Sequence, residues 1–307
     1  MYLQQAFRGN NKFSRYFITT IILILSTQIL GALPALAAML YGVMSGGTVN
    51  PNNPSDFASL GIDQNLGLAL MLIPFAVGFF ALLICIRKLH SKKVMDVITT
   101  RPKFDFSRAA KGGILWGAFI IISALPSILA DDGSVTFNFD PIPFFTLCIV
   151  CLLLLPLQTS FEELLFRGYY MQGFAVTTNT RWAPLLVTSI AFGLLHSMNP
   201  EVKEFGFWMA MPSYVFMGLI MGIVAVMDNG LEIALGMHFS NNFISALLFT
   251  SPVSALQTPA LFTDNDPSMS YSDNIIMLIT GIAFILLCSK IFKWKDWNKI
   301  FKPVVVK

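Results

Sequence analysis

Residues 143–168 read PFFTLCIVCLLLLPLQTSFEELLFRG, an apolar run that closes on two glutamates and an arginine. From Pro143 to Gln158 the side chains are nearly all Leu, Ile, Val, Phe and Cys, so hydropathy places Glu162 and Glu163 within or at the edge of a bilayer. Taking a carboxylate out of water costs several kcal/mol. An ionisable group at such a place normally faces a protein interior or a wet cavity and marks function.

Helix geometry separates the three charges. Glu163 and Arg167 are spaced i,i+4 with the acid on the N-terminal side, the favourable order for an ion pair within a helix. Glu162, rotated by about 100° from its neighbour, is left without that partner. The spacing therefore predicts that Glu163 and Arg167 hold each other while Glu162 points into a cavity as the reactive group. On this stretch alone, a placement of all three charges in the interfacial zone of a helix end stays open.

The rest of the chain has the same character. Of 307 residues, 55% are hydrophobic and 12% charged, about half the charge of a soluble domain. The reading is an all-α polytopic membrane protein, whose 28 Phe and 15 Met suit lipid-facing and packing surfaces. A net charge of +3 does not point to nucleic acid, because the basic residues follow membrane topology and form no continuous patch. Nothing resembles a cleavable signal peptide; the first apolar run is too long and reads as an anchor. Cys85, Cys148, Cys151 and Cys288 fall inside predicted spans, and the CxxC of Cys148 and Cys151, with no His or charge beside it, reads as small buried hydrophobes.

Eight stretches have the apolarity of spanning helices, near 16–43, 65–86, 112–130, 143–165, 183–199, 206–227, 231–250 and 274–292. They divide the chain into N-terminal helices with a basic connector (1–142), a core that carries the polar motifs (143–250), and an outer loop, last helix and basic tail (251–307). The 44–63 loop has Asp56 and Asp63 but no Lys or Arg, and Asp131, Asp132 and Asp140 flank the third connection. The connector Arg87 to Lys111 carries eight basic residues, and Lys290 to Lys307 closes the chain. By the positive-inside rule, both termini and the connector are cytoplasmic, and Glu162 lies towards the inner leaflet. His90, in the connector, reads as a solvated side chain. Gly218 and Gly222 form a GxxxG that permits close helix contact.

Only His196 and His238 join the glutamates as groups that titrate near neutral pH inside predicted spans. Phe192 and His196 share a helix face, as do His238 and Asn242. Glu162, His196, His238 and Asn242 on three helices make a common site. A desolvated carboxylate can take a proton from water and a neutral imidazole can orient that water, which suits Glu162 and His196. His238 and Asn242 suit donors to an oxyanion developing on a carbonyl. The outcome is amide hydrolysis; Ser160 and Ser197 have no base at triad spacing.

These motifs resemble those of the CPBP family of intramembrane proteases (the Abi family), which includes the eukaryotic type 2 CAAX prenyl protease and many bacterial relatives. The family pattern, EExxxR, FxxxH and HxxxN or HxxxD, stands here as Glu162, Glu163 and Arg167, then Phe192 and His196, then His238 and Asn242. The resemblance covers roughly 145–250. It implies an eight-helix bundle with an intramembrane cavity. Glu162 on the fourth span activates water with His196, the seventh span forms an oxyanion hole, and a membrane-associated peptide or protein is the substrate. Glu163, Arg167 and Phe192 support the site. Family members have been described as metalloproteases, and Glu162, His196 and His238 would be a set acceptable to zinc. With no HExxH spacing, and with Asn242 better suited to an oxyanion than to zinc, the expectation is a metal-free site with no cofactor. The short connections suggest a bacterial plasma membrane. The alternative is a non-catalytic membrane partner, such as a bacteriocin-immunity or sensor-regulating protein; a transporter is less favoured for want of an inverted repeat or broken helices.

Overall fold

Apolar segments without water must satisfy their backbone groups internally, and they do so here as helices. The computed structural model describes residues 2–51, 53, 56–130 and 132–304. Asp131 and Lys307, read above as part of an acidic and a basic cluster, lie outside them.

In chain order the helices are α1 (Phe13–Met44, with a π-helical turn at Ser26–Gly31), α2 (Gln64–Lys88), the short α3 (Val94–Ile98) and α4 (Phe106–Leu129). Then come α5 (Pro141–Thr178), α6 (Trp182–Leu195), the short α7 (Pro200–Phe205), α8 (Phe207–Asp228), α9 (Glu232–Leu248) and α10 (Tyr271–Phe292). Six of them, α1, α2, α4, α5, α8 and α10, are long and apolar enough to cross a membrane. Helices α6 and α9, at the predicted fifth and seventh spans, have 14 and 17 residues. The chain is an all-α polytopic membrane protein. Local chemistry sets several starts: Asp63, Asp105 and Asp140 each accept a backbone N–H at a helix N-terminus, and Ser270 with Asp273 forms a capping box.

The connections gather into two ends of opposite character. At one end lie the N-terminal segment, the 89–105 connector, the 228–231 turn and the tail after α10. They are tied by Tyr2 Oη on the Val97 carbonyl (2.6 Å), a Thr99–Gly230 bridge and Arg181 on the Lys299 carbonyl (2.8 Å). At the other end β1 (Val135–Phe137), β2 (Phe249–Thr250) and β3 (Phe262–Asp264) form a small sheet, with β3 antiparallel to β1 and parallel to β2. Lys and Arg dominate the first end, Asp the second.

Small residues let the core helices approach. A Cβ at Gly236 on α9 would run into the Ala109 carbonyl oxygen of α4, so α9 is clamped to α4 by backbone contact. Gly218 on α8 lets that helix close on α6, where a Cβ would stand 2.9 Å from the Ser189 carbonyl oxygen. The GxxxG thus does bring two helices together.

Three expectations need correction. The fourth span does not end near 165: it continues through a π-helical segment, Leu164–Tyr170, to Thr178, so the glutamates lie inside a helix rather than at its end. The charges do not end the helix because Arg167 and Glu163 pair and are both fully buried. The fifth span stops at Leu195, which makes His196 the C-cap of α6; its N–H bonds the Gly193 carbonyl at 2.8 Å. His90 is not solvated. It is fully buried, with Nδ1 2.8 Å from the Asn10 carbonyl and Nε2 2.6 Å from the Tyr169 hydroxyl, because the N-terminal segment folds over the connector.

Candidate active site

Glu162 and Glu163 stand on α5 one residue before its π-helical segment, an irregularity that concentrates at functional sites. Their consecutive positions send the carboxylates to different neighbours. Glu163 Oε1 accepts from Arg167 Nη1 at 2.8 Å and from His238 Nδ1, also at 2.8 Å. The Arg167 guanidinium lies over the Phe192 ring, 4.1 Å from its centroid, which compensates part of a buried cation's lost hydration. Phe192 thereby packs against the ion pair and supports the site as well as His196.

Glu162 is held differently. Its Oε1 accepts from Gln158 Nε2 at 2.8 Å, one turn back on the same helix. Its Oε2 is buried with no hydrogen-bond partner and lies 3.5 Å from His238 Nε2. The residue as a whole is 7% exposed. His238 on α9 therefore touches both glutamates, one with each ring nitrogen. Because a carboxylate only accepts, Glu163 fixes the tautomer with the proton on Nδ1 and leaves Nε2 facing Glu162.

Asn242, one turn beyond His238, gives one amide N–H to Gln158 Oε1 at 2.9 Å. Its Oδ1 accepts from Asn241 (3.1 Å), whose own Oδ1 accepts from the Trp116 indole (3.0 Å). A polar chain thus runs from Glu162 through Gln158, Asn242 and Asn241 to α4. Gln158 had a signal in sequence, a lone amide in a leucine run four residues before Glu162. Asn241 and Trp116 are joined only by the packing of α4 on α9, which no local pattern encodes.

His196 is placed apart from that chain. Nδ1 bonds the Phe192 carbonyl (2.9 Å) and the ring stacks on Tyr214 at 4.5 Å between centroids. Among the described residues no hydrogen bond or ion pair joins it to Glu162; both His196 and His238 pack on the Phe192 ring, at 4.8 and 5.9 Å. On its other side is Glu201, in the short α7, whose Oε1 accepts from the Ala255 N–H at 2.8 Å. Burial pushes the Glu201 carboxyl above its ordinary range, against the opposing pull of that hydrogen bond and of His196.

A cavity of about 1030 Å³ lies beside this cluster, walled by α2, α4, α5 and α9 and almost wholly apolar. Thr159, Ser160 and Leu164 of α5 and Ser240 of α9 line it, whereas Glu162, His196, His238 and Asn242 do not. As a metal site the cluster fits poorly. Among the described residues no three His, Cys, Asp or Glu side chains are grouped to hold an ion. His238 Nδ1 is committed to Glu163, and His196 is set off by Phe192.

Residues 143–244 match the family model described as Rce1-like, type II CAAX prenyl endopeptidase. The chain is also 29% identical over 259 residues to "Uncharacterized protein YyaK" of Bacillus subtilis (strain 168), an alignment that covers 83% of this chain and 84% of the relative. No solved structure matches. The matched segment runs from the start of α5 into α9 and contains every residue of the polar cluster on those helices, so this part of the chain is similar to the Rce1-like, type II CAAX prenyl endopeptidase family.

Proposed function

We propose that this protein is an intramembrane endopeptidase in which Glu162 activates water to cut a peptide bond of a membrane-associated protein or peptide. One observation carries the reading: of two adjacent buried carboxylates, Glu163 is tied through Oε1 to both Arg167 and His238 Nδ1, while Glu162 has no cation of its own and turns Oε2 towards His238 Nε2 at 3.5 Å.

The chemistry follows from the tautomer. With Nδ1–H donated to Glu163, His238 carries its second proton on Nε2 as the imidazolium, and Glu162 opposite is the ionised base. Water attacks the carbonyl carbon and gives a proton to Glu162. The C–O bond forms while the carbonyl oxygen takes up negative charge, and the second amide N–H of Asn242 and the protonated His238 Nε2 are placed to donate to it. Collapse breaks the C–N bond, and the proton taken by Glu162 passes to the leaving nitrogen. His196, whose Nδ1 donates to the Phe192 carbonyl, acts on this step only through the Phe192 ring that it packs against. No step uses a metal, because the donor set does not converge. The apolar cavity alongside offers room for the hydrophobic part of a membrane-held substrate.

A second reading, a non-catalytic membrane partner, draws on the closure of the cluster: Glu163, Arg167 and His238 are buried and do not line the cavity. Comparative peptidomics of membranes that contain wild-type or Glu162→Gln protein at equal abundance separates the two. The proposal expects peptides that accumulate only with the wild type, and no effect of a chelator on them. An identical peptide profile for the two proteins rules out the enzyme, and loss on chelation rules out the metal-free mechanism.

A further inference from the structure

At the basic end, a second cavity of about 450 Å³ lies where the C-termini of α8 and α10, the start of α4 and the chain after α10 meet. Its floor is balanced in charge. Arg101 pairs with Asp228 (2.8 Å) and Glu232 (3.0 Å), and Arg108 pairs with Asp228 at 2.5 Å. Asp228 also accepts from the Trp294 indole at 3.1 Å, so its acceptor capacity is used. On the rim, Asp296 pairs with Lys302 at 2.6 Å.

Lys299 has no such balance. It lines the cavity and is only 7% exposed, yet its one recorded acceptor is the Met227 carbonyl at 3.2 Å. Among the described residues no carboxylate stands within ion-pairing distance of it, and the buried Arg181 beside it adds like charge. Burial first, and then Arg181, draw its pKa down to about 8 against the opposing pull of Asp228 and Asp296. Lys293 and Lys295, both exposed and without an ion pair among the described residues, add two charges at the mouth. Three cations thus face one pocket with no ion pair among the described residues, and the pocket's two carboxylates, Asp228 and Asp296, are paired with Arg101, Arg108 and Lys302.

The surroundings say which anion belongs there. Phe292, stacked under the Arg108 guanidinium at 4.8 Å, and the partly exposed Trp294, Trp297 and Phe301 mark the depth at which aromatic side chains meet lipid headgroups. In the last two turns of α10, just before the pocket's Phe292, Leu286, Leu287 and Ile291 are exposed and offer apolar surface to acyl chains. Free phosphate would use the cations but not the aromatic rim or this surface.

We propose that this pocket binds the phosphate of an anionic phospholipid, with Lys299 as its buried counter-ion and Lys293 and Lys295 at the rim. A basic pocket between helices at the membrane surface is a recognised form of lipid site. The inference does not depend on the catalytic reading.

The test is the melting temperature of the purified full-length protein in neutral detergent, titrated with short-chain phosphatidylglycerol, phosphatidylcholine or inorganic phosphate. Phosphatidylglycerol alone is expected to raise it saturably. Lys293→Ala with Lys295→Ala should weaken the apparent affinity at least several-fold, at about 1 kcal/mol per charge, and Lys299→Met should remove the response. Lys88→Ala, an exposed lysine of the same end outside the pocket, should leave it intact. If Lys299→Met does not fold, the rim double variant decides. An equal response to phosphatidylcholine, a response reproduced by inorganic phosphate, or the same affinity in the rim variant overturns the proposal, as does an equal loss in Lys88→Ala.

Discussion

Glu162 and Glu163 are chemically identical and adjacent, and what separates them is one helical step. The step gives Glu163 an arginine on its own helix and a histidine from α9, and gives Glu162 a neutral glutamine in place of a cation. Breaking a buried ion pair from one side leaves the other charge stranded, at about 3–5 kcal/mol. Glu163→Ala and Arg167→Met should each lower stability by about that amount, and the double variant by clearly less than their sum in denaturant unfolding; full additivity would mean that the pair does not act as a unit. The Glu163–Arg167 half of this site was legible in the sequence because i,i+4 spacing is a local property. The bridging by His238 was not, because it depends on where α9 sits against α5. Nor was the separation of His196 from Glu162 by Phe192: a shared motif indicates that residues belong to one region but not which of them touch.

Among the elements, the spans themselves were readable to within a few residues for most helices, since apolarity and length dictate them. The exceptions have physical causes. Helix α5 runs past its charges because they neutralise each other in the interior, and α6 ends early at the His196 turn, before Pro200 opens α7. The connector looked like a solvated basic loop, yet Lys92 donates to the Ala6 carbonyl (2.9 Å) and His90 is sealed beneath the N-terminal segment. Burial lowers the His90 pKa below its ordinary value, helped by Lys92 and Arg15 and opposed by its hydrogen bond to Asn10. Below about pH 6.5 the unfolded chain therefore binds a proton that the folded one resists, and stability falls as pH drops from there through the lower folded value. The melting temperature should fall less steeply between about pH 6.5 and 5 in His90→Gln than in the wild type. An unchanged slope would remove His90 from this role.

For the whole molecule, the ends of the bundle divide by charge as the loop composition implied, and a cytoplasmic basic end is what the positive-inside rule predicts for it. In intact cells a membrane-impermeant maleimide should label Asp266→Cys and spare Lys88→Cys until the membrane is opened; labelling of Lys88→Cys in sealed cells would reverse the orientation. The small sheet at the acidic end escaped the sequence reading because strands of two or three residues leave no periodicity to detect. On the proposed mechanism, α5 and α9 lock Glu163 through Arg167 and His238, and the neighbouring Glu162 is the base. The direct test is the turnover of a peptide released by the wild type, measured with purified wild-type, Glu162→Gln and Glu163→Ala proteins alongside their unfolding curves. Glu162→Gln should unfold like the wild type and lose about 10²- to 10⁴-fold in rate, whereas Glu163→Ala should lose stability first; wild-type turnover by a folded Glu162→Gln protein would contradict the account.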